Sequence, residues 1–410
     1  MSRVNSRKST ATWYRWALLA AVWLLYAAFG LVVTSLAPLI PLIEADLKLS
    51  HAAMGSIMGA WQLVYIFSAI PCGLMLDKLG SRWSLTIGGL LMAASIFARG
   101  TAENYTELLL AVMLFGLGGP IISAGAPKVI TQWFAGTSRG LAMGIYMTGP
   151  AVGGIISLTM THSVLLPAFS QSWREVMTIW ALICIVASLA WLGISSVPAS
   201  NATPTSKNNT PTLPQGQVLK KFLGEPAVLL VLGMSVGVFF FNHGLNNWLP
   251  ELLRSGGMTL LEAGYWAAIP TLIGLIGSLL IPRLATPQRR FQILIALSLI
   301  AASASIMLQF QSEPLLFTGL LMQGIARSSL MTILVLTLIE LPGVGERYVG
   351  VATGLFFSAA EIGGVLGPLS IGILYDLTNS FDTGLLLLTG IALLLAMAAY
   401  KLKKRVSDGF

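Results

Sequence analysis

The chain has 410 residues, 55% of them hydrophobic and only 10% charged, where a soluble globular chain carries about a quarter charged residues. That balance excludes a water-soluble fold, which would have no polar surface. The net charge of +8 does not point to nucleic acid, because the basic residues are spread between apolar runs instead of gathered on one patch.

Apolar runs of about 20 residues, each long enough to cross a bilayer core, recur along the chain. Twelve spans are predicted, over residues 16–40, 52–76, 83–100, 107–133, 139–165, 174–197, 223–249, 261–284, 290–310, 314–339, 347–375 and 380–400. The run from Trp16 follows a basic N-terminus but is too long for a signal-peptide core and has no small-residue cleavage site, so it is read as the first helix. With the N-terminus in the cytoplasm, the inside segments hold 19 of the 24 basic residues and the outside only Lys48, Arg99, Arg174 and Arg254, with Arg327 inside a span. This bias predicts cytoplasmic termini. Cys72 and Cys184 fall inside spans and suggest neither a disulfide framework nor a metal site.

The second span ends in GLMLDKLGSRWSL, with Gly73, Asp77, Lys78, Gly80 and Arg82 between two helices. Asp77 stands at a helix C-terminus, where the helix dipole disfavours an anion. The N-terminus of the eleventh span, near Glu346 and Arg347, offers amide donors and a positive dipole end. The fifth span carries MTGPAVGG, with Gly149, Pro150, Gly153 and Gly154, a pattern that suits close packing and a kink.

After six spans comes a Pro-, Asn- and Thr-rich stretch, Pro198–Lys221, whose composition supports no packed core. The chain therefore divides into a cytoplasmic N-terminal tail (1–15), a six-helix bundle (16–197), a cytoplasmic linker (198–221), a second six-helix bundle (222–400) and a cytoplasmic C-terminal tail (401–410). The halves repeat at an offset of 209 to 210 residues: Gly140, Ala142, Gly144, Gly153 and Gly154 recur as Gly350, Ala352, Gly354, Gly363 and Gly364, and Pro41 and Gly55 as Pro250 and Gly264. Glycines at four-residue spacing, Gly140/Gly144, Gly149/Gly153 and Gly350/Gly354, are expected to let helix backbones approach closely. The expected fold is an all-α polytopic membrane protein, twelve transmembrane helices in two pseudo-symmetric six-helix bundles.

Polar and aromatic groups near mid-span are the candidate site residues: Tyr26, Gln62, Tyr65, Tyr146, Asn242, His243, Asn246 and Trp248. Amides unsatisfied in lipid are costly, so Asn242, Asn246 and Asn247 should face protein or water. His243 is the residue type that titrates near neutral pH, although a structural histidine is the plainer reading. Arg327 and Glu361 lie about 13 or 14 residues into their helices, roughly 20 Å at 1.5 Å per residue, and are expected to be the only charges so deep. They are expected either to form a permanent ion pair or to serve substrate and proton: an anion competes for Arg327 and frees Glu361 to take a proton.

The Gly73–Arg82 pattern, in a chain of twelve spans, resembles the major facilitator superfamily. Ser81 stands where that pattern often has a basic residue, and the corresponding loop of the second half, IPRLATPQRR, lacks the acid. The resemblance implies a secondary active transporter working by alternating access, with Asp77 latching the halves in the outward-facing state. Short patches, Thr34–Glu44, Asn246–Leu253 and Pro127–Phe134, resemble the cyanate permease group and the nitrate and nitrite porters. Gly30 and Leu31 stand where the cyanate group has Arg-Pro, and Gln62 lies in the helix where nitrate porters carry an Arg. The expected partners are a small, anionic solute, protons and the lipid of an inner membrane. No cofactor, metal or nucleic acid is expected, and the chain is expected to act as a monomer. The alternatives are a proton-coupled multidrug exporter, for which the fifth-span motif speaks, and a non-transporting membrane receptor or assembly factor. With no nucleotide loop, metal spacing or nucleophile constellation, an enzyme is not expected.

Overall fold

In a computed structural model, the described residues are 2–196, 220–286, 288–310, 312–341, 344 and 349–408. All regular structure among them is helical. The helices are α1 (Ser2–Thr34), α2 (Ile40–Leu47), α3 (His51–Thr101), α4 (Tyr105–Trp133), α5 (Thr137–Met147), α6 (Gly149–Met160), α7 (Leu166–Ala168), α8 (Trp173–Ile194), α9 (Pro226–Ser255), α10 (Leu260–Leu284), α11 (Arg290–Met307), α12 (Glu313–Ile339), α13 (Val349–Thr378) and α14 (Asp382–Asp408). The linker 198–221 lies outside the described residues except for its last two.

Eleven helical segments among the described residues are long and apolar enough to cross a membrane. One of them, α3, runs for 51 residues but is broken at Gly80 (φ 75°, ψ 167°), a conformation that only glycine adopts readily. Counting α3 as two crossings recovers the twelve expected spans. The fifth span is also divided: Thr148 separates α5 from α6, Pro150 opens α6, and Trp23 Nε1 donates to Thr148 Oγ1 at 2.8 Å. Proline suits this place because the first turn of a helix needs no amide donor from it.

The chain forms two compact units, one of residues 1–39 and 67–208, the other of residues 40–66 and 209–410. In the first unit α1 packs on α6 through glycine: a Cβ added at Gly153 would overlap the Ala27 carbonyl, and one at Gly30 the Pro150 backbone. In the second unit α9 packs on α13 in the same way, with Gly363 against the Val236 carbonyl and Gly367 against the Phe240 carbonyl. Ala27 and Val236 are 209 residues apart, Gly153 and Gly363 are 210, so the sequence repeat is a repeat of one helix–helix contact. Other members of the expected glycine pairs behave differently. Gly140, Gly144 and Gly354 have no neighbour within 4 Å of an added Cβ.

The second unit takes in 40–66, residues that the repeat assigns to the first half. The N-terminus of α3 is capped there by Asp376, whose carboxylate accepts from the amides of His51 (3.1 Å) and Ala52 (2.8 Å). Gly372 makes room for this approach, since a Cβ there would overlap the His51 carbonyl. The His51 ring is stacked between Tyr375 (3.9 Å) and Trp248 (5.0 Å) and reaches Glu44 at 3.4 Å.

Candidate functional site

The polar residues of mid-span gather in the second unit, on α3, α9, α12 and α13. Gln62 is fully buried and its Nε2 lies 3.3 Å from His243 Nδ1. The His243 ring is flanked by Trp61 (5.9 Å, edge-on) and Phe239 (5.3 Å), and Tyr65 packs edge-on to Trp61 at 6.0 Å. Glu361 stands at the same place: a Cβ on Gly364 would lie 2.8 Å from Glu361 Oε2, 3.0 Å from Gln62 Cγ and 3.4 Å from His243 Cδ2. Gly364 is thus small for a reason the repeat alone did not supply, since it leaves room for three polar side chains.

Gln323, which the sequence reading missed, donates through Nε2 to Asn246 Oδ1 at 3.1 Å. That contact sets the register of two helices. Because α9 and α12 are separated by two intervening crossings, they run antiparallel. Four residues along each helix in the same direction, about 6 Å by helix rise, bring Asn242 level with Arg327. Arg327 Nη1 donates to Thr271 Oγ1 of α10 at 3.2 Å, a second partner the sequence reading missed. Asn247 turns back to its own helix, its Nδ2 donating to the His243 carbonyl at 2.9 Å, and Trp248 Nε1 donates to the Pro368 carbonyl at 2.9 Å. Neither adds a free group to the layer.

One expectation about charge is corrected. Arg327 and Glu361 share a depth but are not an ion pair: among the described residues no carboxylate oxygen lies within 4.0 Å of Arg327, and Glu361 Oε2 has no hydrogen-bond partner. Depth fixes the level of a residue but not the direction it faces. A charge near a helix end is buried as well. Arg99, assigned to an outside segment by hydropathy, is 2% exposed, and its Nη1 donates to the Val32 carbonyl and to Ser35 Oγ, both at 3.0 Å. It thereby satisfies acceptors at the end of α1.

Four buried acceptors in the layer have no partner: Gln62 Oε1, Asn242 Oδ1, Gln323 Oε1 and Glu361 Oε2. An unpartnered polar atom in a protein interior costs about 1–3 kcal/mol. Together these atoms leave hydrogen-bonding capacity unused in the second unit. Swapping the oxygen and nitrogen of either glutamine still leaves a polar atom without a partner.

The first unit holds the other candidates. Tyr26 and Tyr146 stack at 5.4 Å, Tyr26 touches Phe29 at 5.5 Å and Phe29 touches Phe115 at 5.2 Å. At the expected latch, Asp77 is neutralised within its own unit by Lys128, Nζ to Oδ1 2.6 Å, and the same ammonium donates to the Leu76 carbonyl at 3.2 Å. Lys128 therefore supplies the positive charge that a helix C-terminus favours. Arg82 Nη2 donates to Ser196 Oγ at 3.0 Å and its guanidinium lies 5.3 Å from the Trp83 ring, while Lys78 is exposed. A Cβ at Gly73 would meet nothing within 4 Å. Glu346 and Arg347, beside the helix N-terminus expected to hold Asp77, lie outside the described residues.

Residues 22–368 match the family described as the Major Facilitator Superfamily. The chain is similar to the hexuronate transporter of Bacillus subtilis, 23% identical over 88% of each chain. It is also similar to the probable galactarate/D-glucarate transporter GarP of Escherichia coli K12, 24% identical over 87% of each. Among solved structures it resembles a bacterial homologue of the human lysosomal transporter Spinster, with a TM-score of 0.74 and 19% identity over 95% of this chain and 96% of that one, a likeness of fold. These two relatives are named for sugar acids, and the finer likeness to cyanate permeases and nitrate porters draws no support from them.

Proposed function

We propose that this chain, which belongs to the major facilitator superfamily, is a secondary transporter whose substrate is a hydroxylated organic acid, bound through Arg327. The observation that carries the reading is the state of Arg327 itself: a guanidinium 14 residues from Glu313, the start of its 27-residue helix, with one hydroxyl partner and no carboxylate among the described residues. A cation at that depth is costly unless something neutralises it, and a visiting carboxylate does so with two parallel hydrogen bonds that suit the guanidinium fork. The unpartnered atoms of Gln62, Asn242 and Gln323 then take the hydroxyl groups. The sugar-acid relatives support this substrate class, and compact inorganic anions such as cyanate and nitrate have no hydroxyls to offer the layer. A multidrug exporter would need an apolar pocket, where this layer is polar.

Glu361 is the candidate proton carrier. A carboxylate buried without a partner is costly when charged, so carrying a proton while substrate is bound relieves the layer. Alternating access is the scheme that the family suggests for such transport, and the basic residues outside the spans support cytoplasmic termini. The test is binding: galacturonate or glucuronate should raise the melting temperature of the purified chain in proportion to occupancy. Arg327→Gln should abolish that shift. An unchanged shift in the variant would remove Arg327 from the site.

A further inference from the structure

We infer that Glu44 and His51 form a second proton site, separate from Glu361, at the end of the second unit that the expected topology puts outside, and that a proton there fastens the start of α3 to the end of α13. The inference uses the transporter reading above but not its substrate.

The contact is closely built. Cβ atoms added at Gly55 and Gly372 would overlap the carbonyls of Pro368 and His51, and one at Gly59 would lie 2.8 Å from the Val365 carbonyl oxygen. His51, Gly55 and Gly59 stand four residues apart, so one face of α3 meets the backbone of α13 over about two turns. At its outer edge Asp376 accepts from the amides of His51 and Ala52, and the His51 ring lies between Tyr375 and Trp248. Glu44 Oε2 is 3.4 Å from His51 Nδ1, while Glu44 Oε1 and His51 Nε2 are buried with no hydrogen-bond partner. The pair thus keeps unused sites for a further proton. Two groups so close titrate together, and the proton belongs to the pair instead of to either residue.

Charge gives the sign. The groups facing His51 are Glu44 from α2, Tyr375 and Asp376 from α13, and Glu251 and Arg254 one and two turns beyond Trp248 on α9, while Phe381 adds an uncharged ring. Asp46 and Lys48 are exposed to solvent. Glu251 is held by Arg254 through two hydrogen bonds at 2.5 and 2.7 Å. Asp376 sits at a helix N-terminus, where the dipole favours an anion. Two carboxylates are left on opposite sides of His51, Glu44 on its ring and Asp376 on its amide, and like charges repel across the contact. A proton on the pair removes that repulsion, and on the ring it is favoured further by the faces of Tyr375 and Trp248. A contact that gains a proton on closing is strongest at low pH and loosens as pH rises.

The consequence for transport follows from where α3 belongs. Its residues 51–66 fall in the second unit and 67–101 in the first, although the sequence repeat assigns the whole helix to the first half. Loading from outside under alternating access parts the outer ends of the two sequence halves, so this contact has to release. The proton state of Glu44 and His51 sets how readily it does.

The experiment places spin labels at Ala45→Cys and Leu377→Cys, both exposed, in the purified full-length chain with Cys72→Ala and Cys184→Ala. It reads the ratio of short to long distances between about pH 5 and about pH 8, the range in which a histidine titrates, with no substrate added. The ratio should rise severalfold per pH unit on acidification, toward the limit of about tenfold that one linked proton allows. Glu44→Gln combined with His51→Phe, which keeps a ring in the stack but removes the titrating pair, should flatten that dependence. A ratio insensitive to pH in the labelled parent chain, or an equal dependence in the double variant, overturns the inference and leaves the sugar-acid reading standing, since no acid enters the measurement. If the double variant fails to fold, Glu44→Gln alone decides: an undiminished dependence overturns the inference and a flattened one is the expected result.

Discussion

Gln62 and His243, 181 positions apart in the chain, meet side chain to side chain at 3.3 Å, so α3 supplies a wall of the same polar layer that α9, α12 and α13 build. The contact satisfies one ring nitrogen and leaves Gln62 Oε1 unpartnered. Gln62→Leu removes the partner of a ring nitrogen inside the protein, a loss of about 1–3 kcal/mol. The expected result is a lower melting temperature and weaker binding of hydroxylated acids, measured by thermal shift. Unchanged affinity in a folded variant would place Gln62 outside the site.

Arg327→Lys replaces a planar fork with a point charge. Affinity for glucuronate should fall by roughly tenfold or more, about 1.4 kcal/mol, while the charge keeps some binding. Thr271→Val removes the hydroxyl that accepts from Arg327 Nη1 and should cost less, about 1 kcal/mol. Titration of both variants against one acid gives the order, and a Thr271→Val loss larger than that of Arg327→Lys would contradict it.

The glycines separate into two groups that one substitution distinguishes. Gly153→Ala and Gly363→Ala put a Cβ into the carbonyls of Ala27 and Val236, and overpacking of this kind costs about 1–3 kcal/mol. Gly140→Ala and Gly354→Ala enter open space and should be neutral to stabilising in a helix interior. Melting temperatures of the four purified variants check the division.

Asp376→Ala removes the acceptor for two amides at the start of α3. Loss of such a cap costs about 1 kcal/mol, read as a lower melting temperature, with Asp376→Asn milder because its oxygen still accepts.

Asp77→Asn leaves Lys128 without its anion and, under the latch proposal, should reduce transport severalfold or more while expression and melting temperature change little, since an exposed ion pair contributes about 0–1 kcal/mol. Near-normal uptake in proteoliposomes would count against the latch.

Hydropathy made the twelve crossings legible because a bilayer core demands uninterrupted apolar length. The constant offset marked Gly153 and Gly363 as equivalent positions, whereas the helices they pack on, with the carbonyls of Ala27 and Val236 opposite, came only from the structure. Other features follow from direction and not from depth or composition. Arg327 and Glu361 occupy one level, yet each residue turns a helix by about 100°, so equal depth did not place them face to face. Arg99 lies near the end of its helix, where a linear reading assigns it to solvent, while its guanidinium folds inward to Val32 and Ser35. Gln323 had a signal, four residues before Arg327 and so on the same helix face. Thr271 had none, since threonine is common in apolar helices and its role appears only with Arg327 beside it.

The central claim is that a sugar acid binds this chain through Arg327. The direct measurement is equilibrium binding of labelled glucuronate to the purified full-length chain and to Arg327→Gln, with both shown to be folded by their melting curves. Saturable binding by wild type, displaced by unlabelled acid and lost in Arg327→Gln, is the predicted result; saturable binding retained at equal affinity in Arg327→Gln, or none by the folded wild-type chain, would contradict it.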